Sequence, residues 1–118
     1  MSKSTLEESE NDEVMVVRIL GVDYSVEEDS SLAHMGLQGL ISFTDQRILI
    51  NENISFEMQR SAILHEIIEG INGMLEMKLK HNQISQMEAG LNQVLSDNPL
   101  LFNLWTYEEE DASEEEGE

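Results

Sequence analysis

The order of patterns along these 118 residues predicts an α+β domain, a small antiparallel sheet of three to four strands packed against two helices. Three observations carry that prediction. β-Branched runs and strict alternation dominate residues 14–50, apolar residues recur at helical spacing between 55 and 96, and turn-forming residues separate the two regimes.

The elements follow in order. Val14-Met15-Val16-Val17-Arg18-Ile19-Leu20 is rich in β-branched residues and stops at Gly21, which marks a bend or bulge. Val22, Tyr24 and Val26 then alternate with Asp23, Ser25 and Glu27, the period of a strand with one wet face. Residues 28–36 read as a loop. Residues 37–43 and Arg47-Ile48-Leu49-Ile50 are further strands, and Thr44-Asp45-Gln46 between them suits a hairpin. A helix starts near Ser55, whose hydroxyl can cap it, with Glu57 at the positive end of the dipole. Leu64, Ile67, Ile68, Ile71, Met74, Leu75 and Leu79 give it an apolar face, and Lys78 and Lys80 fall in its last turn. A second helix runs from about Gln83, capped by Asn82, to about Ser96. Ile84, Met87, Leu91, Val94 and Leu95 form its buried stripe, and Asn98-Pro99 closes it. Leu100, Leu101, Phe102, Leu104 and Trp105 are expected to pack back onto the core.

The ends differ from the middle. Residues 1–13 hold five carboxylates against Lys3, and residues 108–118 hold eight with no cation. Neither can bury enough apolar surface to offset its ordering entropy, so disordered acidic termini frame a single domain at 14–107. Of the 25 carboxylates 12 then remain in that domain against five of the six cations, a charge near −7 out of −19. Such a balance disfavours nucleic acid and anionic membranes, and leaves a basic protein as a permissible partner. Absence of cysteine removes disulfides and thiolate metal sites. Without a basic-then-apolar start or an apolar run near the ~20 residues of a bilayer span, the expected compartment is the cytoplasm.

The chemistry concentrates in Leu64-His65-Glu66-Ile67-Ile68-Glu69. This nearly reproduces H-E-x-x-H, in which two imidazoles hold a metal and the intervening glutamate serves as base. His65, Glu69, Asn72 and Glu76 line one helix face, and a histidine and a glutamate at i, i+4 can share an ion at about 2.0–2.2 Å. A third ligand must come from the second helix. Glu88 lies beside Met87 and Leu91 near the helix–helix seam, and His81 sits seven residues before it. His65, Glu69, Glu88 and His81 are thus the candidate ligands for zinc or another divalent metal, with Glu66 as base. Against this stand plainer readings. His65 and Glu69 can be an exposed pair worth a few tenths of a kcal/mol, Glu88 a solvated charge, and His81 an ordinary helix-start residue. Asn72 and Glu76 are expected to face solvent, or else to stand behind the ligands, His34 has no evident partner, and Met58, Met74, Met77 and Met87 fit helix packing. Gly70 and Gly73, at about 1 kcal/mol each against alanine, allow close approach of another element or access to the polar face.

Strand, capped helix with Leu64-His65-Glu66-Ile67-Ile68, and a second helix ending in Asp97-Asn98-Pro99 resemble small phage and prophage proteins of the ImmA/IrrE-like, zincin-type metallopeptidase group. The resemblance covers residues 14–101. It implies a minimal zincin-like fold, with the first metal histidine at His65, the general base at Glu66 and the later acidic ligand at Glu88. The family's second metal histidine falls on Glu69, a departure. Carboxylate in place of imidazole suits manganese or iron better and raises the pKa of a bound water, while His81 can restore a second nitrogen.

Two function classes follow. The first is a degenerate metallopeptidase-like module that binds a metal or a protein partner, including an acidic phage inhibitor of a basic host surface, placed in the host cytoplasm. The second is an active metal-dependent peptidase, with an edge strand near residues 47–51 aligning an extended peptide substrate.

Overall fold

A computed structural model of the chain describes residues 15–106, so the acidic ends read as disordered lie outside the described residues. Within them the architecture is α+β, with one four-stranded sheet and helices packed on one of its faces. Strand β1 (Met15–Ile19) turns through Leu20 and Gly21 into β2 (Val22–Asp29). Both turn residues have positive φ, 49° and 85°. Two consecutive left-handed residues match the twist of paired strands, so the chain folds back as a tight hairpin where a bend was expected. Residues 28–36, expected as loop, supply the end of β2 and a short helix α1 (Ser31–Met35) whose Leu32 is fully buried. Strand β3 (Gly39–Ser42) and β4 (Arg47–Asn51) form the expected hairpin.

The sheet order is β1-β2-β4-β3. The β1–β2 and β3–β4 pairs are antiparallel, whereas β2 and β4 run parallel, so the sheet is mixed and the expected antiparallel pattern fails at that pair. The cause is the crossover through α1, which carries the chain across before β3 and β4 pair. Strand β4 is therefore interior, and the edges are β1 and β3; an edge at 47–51 is corrected to β3.

One sheet face carries Ile19, Tyr24, Val26, Ile48 and Ile50, which pack with Ala62 as the core. The other face is wet and paired across strands: Arg18 meets Asp23 at 2.7 Å and Arg47 meets Glu27 at 3.1 Å. Helix α2 (Phe56–Met74) covers the apolar face, and Ser55 caps it by accepting the Met58 amide at 3.2 Å. Its two glycines are there for close approach. A Cβ on Gly70 would stand 3.0 Å from the Ile41 side chain, and one on Gly73 would sit 2.6 Å from the Phe43 ring.

Helix α2 ends at Met74, so Lys78 and Lys80 lie in a connector and not in its last turn. Glu76 and Lys78 take left-handed φ there. Helix α3 (His81–Asp97) starts two residues earlier than the Asn82 cap implies, with Lys80 at its N-cap and the Gln83 side chain accepting the Lys80 amide at 2.8 Å. Its inward face is Ile84, Ser85, Glu88, Asn92 and Leu95, whereas Met87, Leu91 and Val94 of the expected stripe are exposed. The reason is polar matching: α3 rotates to bring Glu88 and Asn92 onto His65 and Ser61 of α2. Among the methionines expected in packing, Met74 alone is half-buried, accepting from the Tyr24 hydroxyl at 3.7 Å, and Met58, Met77 and Met87 are exposed. The segment after Pro99, which includes α4 (Asn103–Thr106), does not pack back: Leu100, Leu104 and Trp105 are each more than 70 % exposed. No helix of the described residues is long and apolar enough to cross a membrane.

Candidate metal centre

Helical spacing places His65 and Glu69 one turn apart on the α3-facing side of α2. The His65 Nε2 atom is 3.4 Å from Glu69 Oε2. The connector then delivers a second imidazole. Asn72, expected to face solvent, accepts the Leu79 amide through its side chain at 2.9 Å and the Met77 amide through its carbonyl at 3.0 Å. This tether folds the chain back sharply, and His81 Nδ1 comes to rest 3.7 Å from the same Glu69 oxygen. The ring centroids of His65 and His81 are 5.1 Å apart.

His65, Glu69 and His81 therefore offer two nitrogens and one oxygen, all within 4.8 Å of one another, a group that can hold a metal ion. The spacing fits the group. Bonds of about 2.0–2.2 Å in a tetrahedral shell put neighbouring donor atoms about 3.3–3.6 Å apart. The His65 contact to Glu69, at 3.4 Å, lies at that edge length and the His81 contact, at 3.7 Å, just above it; both exceed the usual 2.7–3.2 Å of an N–H···O hydrogen bond.

Glu88 takes a different place from the one the sequence suggests. It lies outside that group, with its Oε1 3.2 Å from His65 Nδ1, the opposite ring nitrogen. With the proton on Nδ1, His65 donates to Glu88 and leaves the Nε2 lone pair toward Glu69. A carboxylate on the far nitrogen fixes the tautomer and orientation of a ligating imidazole and raises its basicity. Both side chains are largely shielded, at 14 % and 22 % exposure, whereas His81 at 78 % leaves the outer side of the centre open.

Glu66 sits on the wall of the seam cleft nearest β3. It is 7 % exposed and packs against Gly39 of β3, where an added Cβ would fall 3.1 Å from its carboxylate oxygen. Burial is the main cause that pushes its pKa from 4.5 up to about 7; His65 opposes the shift and Glu69 adds to it. Glu66 lines a cleft of about 350 Å³ together with His65, His81, Ser85, Glu88, Ala62 and the Gly36–Gly39 wall.

A polar network pins that wall, and sequence patterning did not disclose it. Buried Gln59 donates to Glu28 and to the Asn51 carbonyl, both at 3.1 Å. Asn51 in turn donates to the Leu37 carbonyl at 3.1 Å, and its amide reaches the Gln38 carbonyl at 2.9 Å. No metal role is indicated for Glu76, which is exposed, or for His34, which lies on α1. Comparison with known proteins gives no match to a family model, a curated protein or a solved structure.

Proposed function

We propose that the chain is a zinc-dependent hydrolase of peptide bonds. One observation carries this reading: His65 and His81 approach the same Glu69 oxygen at 3.4 and 3.7 Å, and both imidazoles line an open cleft with the buried Glu66. The second imidazole that H-E-x-x-E lacks is supplied by His81, so the objection that Glu69 leaves the shell too poor in nitrogen loses its force. The resemblance to phage ImmA/IrrE-like metallopeptidases supports the same reading, with His81 in place of the family's second histidine.

His65, Glu69 and His81 would hold the zinc, which would supply Lewis acidity to acidify a water and polarise a carbonyl. The protein's own part is then specific. Glu88 holds His65 through Nδ1, Asn72 holds the connector that presents His81, and the Glu66 carboxylate accepts a proton from the attacking water and returns it to the leaving amine. Burial, which raises the Glu66 pKa in the metal-free chain, favours holding the proton until it is returned. The unpaired edge of β3, leading out of the Gly36–Gly39 wall, offers backbone groups to an extended peptide.

The test is zinc titration of chelator-treated protein by calorimetry, followed by mass spectrometry of an unfolded protein substrate. One zinc per chain with a Kd in the micromolar range or tighter is expected, lost in Glu69→Gln and in His81→Ala. Glu66→Gln retains the metal and loses cleavage by about 10²–10⁴-fold. Absence of zinc binding at micromolar supply removes the proposal, and zinc binding without cleavage reduces it to a metal-binding module.

The non-catalytic protein-binding reading is favoured by a separate observation, the exposure of the apolar segment after Pro99. That segment lies outside the cleft-lining residues, so the two activities can coexist.

A further inference from the structure

The cleft beside the metal cluster has two walls, and each presents a shielded polar side chain without a partner. On the β3 side this is Glu66, 7 % exposed. On the α3 side it is Ser85, half-buried and lining the same cleft. Neither side chain makes a hydrogen bond to another described residue. The other polar groups of the cleft are placed differently: His65, His81 and Glu88 are engaged with one another or with Glu69, and Gln38 is exposed.

The free hydroxyl of Ser85 is unusual for its position. A serine inside a helix commonly returns its hydroxyl to the carbonyl four residues back. Ser85 makes no such bond and lines the cleft instead. Packing gives no reason for a hydroxyl there, since alanine fills nearly the same volume and is the better helix former. Ser85 stands four residues after His81 and three before Glu88, on the helix face that both share, with Cβ atoms of such neighbours about 5–6 Å apart. A backbone amide carries one acceptor and one donor. The hydroxyl can donate and the carboxylate can accept, so the two walls complement an amide laid between them.

We propose that Ser85 is a further substrate-contacting residue of the cleft, its hydroxyl donating to the carbonyl oxygen of the scissile amide; the role rests on the hydrolase reading above. As water adds to the carbonyl carbon, the C=O electron pair settles on that oxygen, and the hydroxyl meets the growing charge while keeping its proton. When the C–N bond breaks the carbonyl re-forms, and the leaving amine takes its proton from Glu66.

The test uses the full zinc-loaded chain, a synthetic peptide spanning the bond that mass spectrometry finds cleaved, and a phosphonamidate of that peptide as tetrahedral mimic. Ser85→Ala is expected to lower kcat about 10²–10³-fold with KM little changed. In calorimetry the same variant loses phosphonamidate affinity by a comparable factor, while its zinc affinity and circular dichroism spectrum stay at wild type. Ser85→Thr keeps a hydroxyl and recovers most of the lost kcat. A Ser85→Ala protein that cleaves at the wild-type rate overturns the proposal. So does a Ser85→Thr protein as impaired as Ser85→Ala, because shape and not the hydroxyl then matters, or a fall in zinc affinity that matches the fall in kcat. An inert wild type removes the hydrolase reading itself and the role of Ser85 with it, an outcome distinct from an active wild type matched by Ser85→Ala.

Discussion

Helices α2 and α3 lie side by side and bury opposite chemistries. α2 turns Ala62, Ile67, Ile71 and Met74 to the sheet and is held by apolar area. α3 turns Ser85, Glu88 and Asn92 inward, leaves Met87, Leu91 and Val94 outside, and has Ile84 as its buried hydrophobic anchor. A helix seated on a sheet can lose one contact among many. A helix seated on a polar seam depends on a few anchors, and those anchors sit beside the cluster that can hold a metal ion. Apolar burial is thus concentrated on one helix, and the candidate metal cluster lies in the groove between the two.

The largest expected effect tests the anchor. Ile84 is 1 % exposed, and its truncation leaves a cavity with little else to hold α3 in register. Ile84→Ala is expected to cost about 2–4 kcal/mol in urea unfolding. A loss under about 1 kcal/mol would mean that the polar contacts alone hold α3, and the contrast between the helices would collapse.

Next comes pH. A Glu66 pKa near 7 in the folded chain, against an ordinary 4.5, means that the folded state binds the extra proton between those values. Without metal, stability therefore falls as pH rises from about 4.5 to 7 and is level above that. Glu66→Gln removes the slope and raises stability at pH 8 by an amount on the order of 2 kcal/mol. Thermal melts of chelator-treated protein across this range check the sign. A wild-type curve that climbs with pH would show that Glu66 is not held in a low-dielectric site.

Much of this was legible in the sequence where one force dominates. Alternation in β2 and the apolar face of α2 answer only to burial, and both elements stand where periodicity puts them, except that α2 stops at Met74, short of the expected Leu75 and Leu79. The i, i+4 placement of His65 and Glu69 needed nothing beyond helix geometry. His81 stood among the candidate ligands, but the route that brings it to Glu69 was not readable, because it depends on the Asn72 side chain closing a connector through two left-handed residues. The facing of α3 failed for a related reason. Periodicity assumes that the apolar side goes in, whereas here the hydrogen-bonding demands of His65 and Ser61 on the neighbouring helix decide the rotation. The parallel β2–β4 pair was hidden by α1, five residues too short to show a helical period.

A smaller effect is expected at Glu88. Glu88→Gln keeps an acceptor near His65 Nδ1 and removes only its charge. Zinc affinity, measured by competition with a chromogenic chelator, is expected to fall about tenfold with little change in folding. A loss equal to that of Glu69→Gln would place Glu88 on the ion and not behind the imidazole, and the division of labour along the seam would need redrawing.

The smallest effect falls on the outer side of α3 and separates the two accounts of that helix most cleanly. Leu91 is 43 % exposed, and the polar-seam account gives it no role in folding. Leu91→Gln is expected to change stability by no more than about 0.5 kcal/mol, read from the urea midpoint at unchanged slope. If it instead costs as much as Ile84→Ala, Leu91 is covered in solution, and the apolar stripe does the ordinary work of a core-facing helix. A neutral result has the opposite force. An exposed leucine beside equally exposed Met87 and Val94 would then contribute nothing to the isolated fold, which leaves contact with another molecule as the physical use of the stripe.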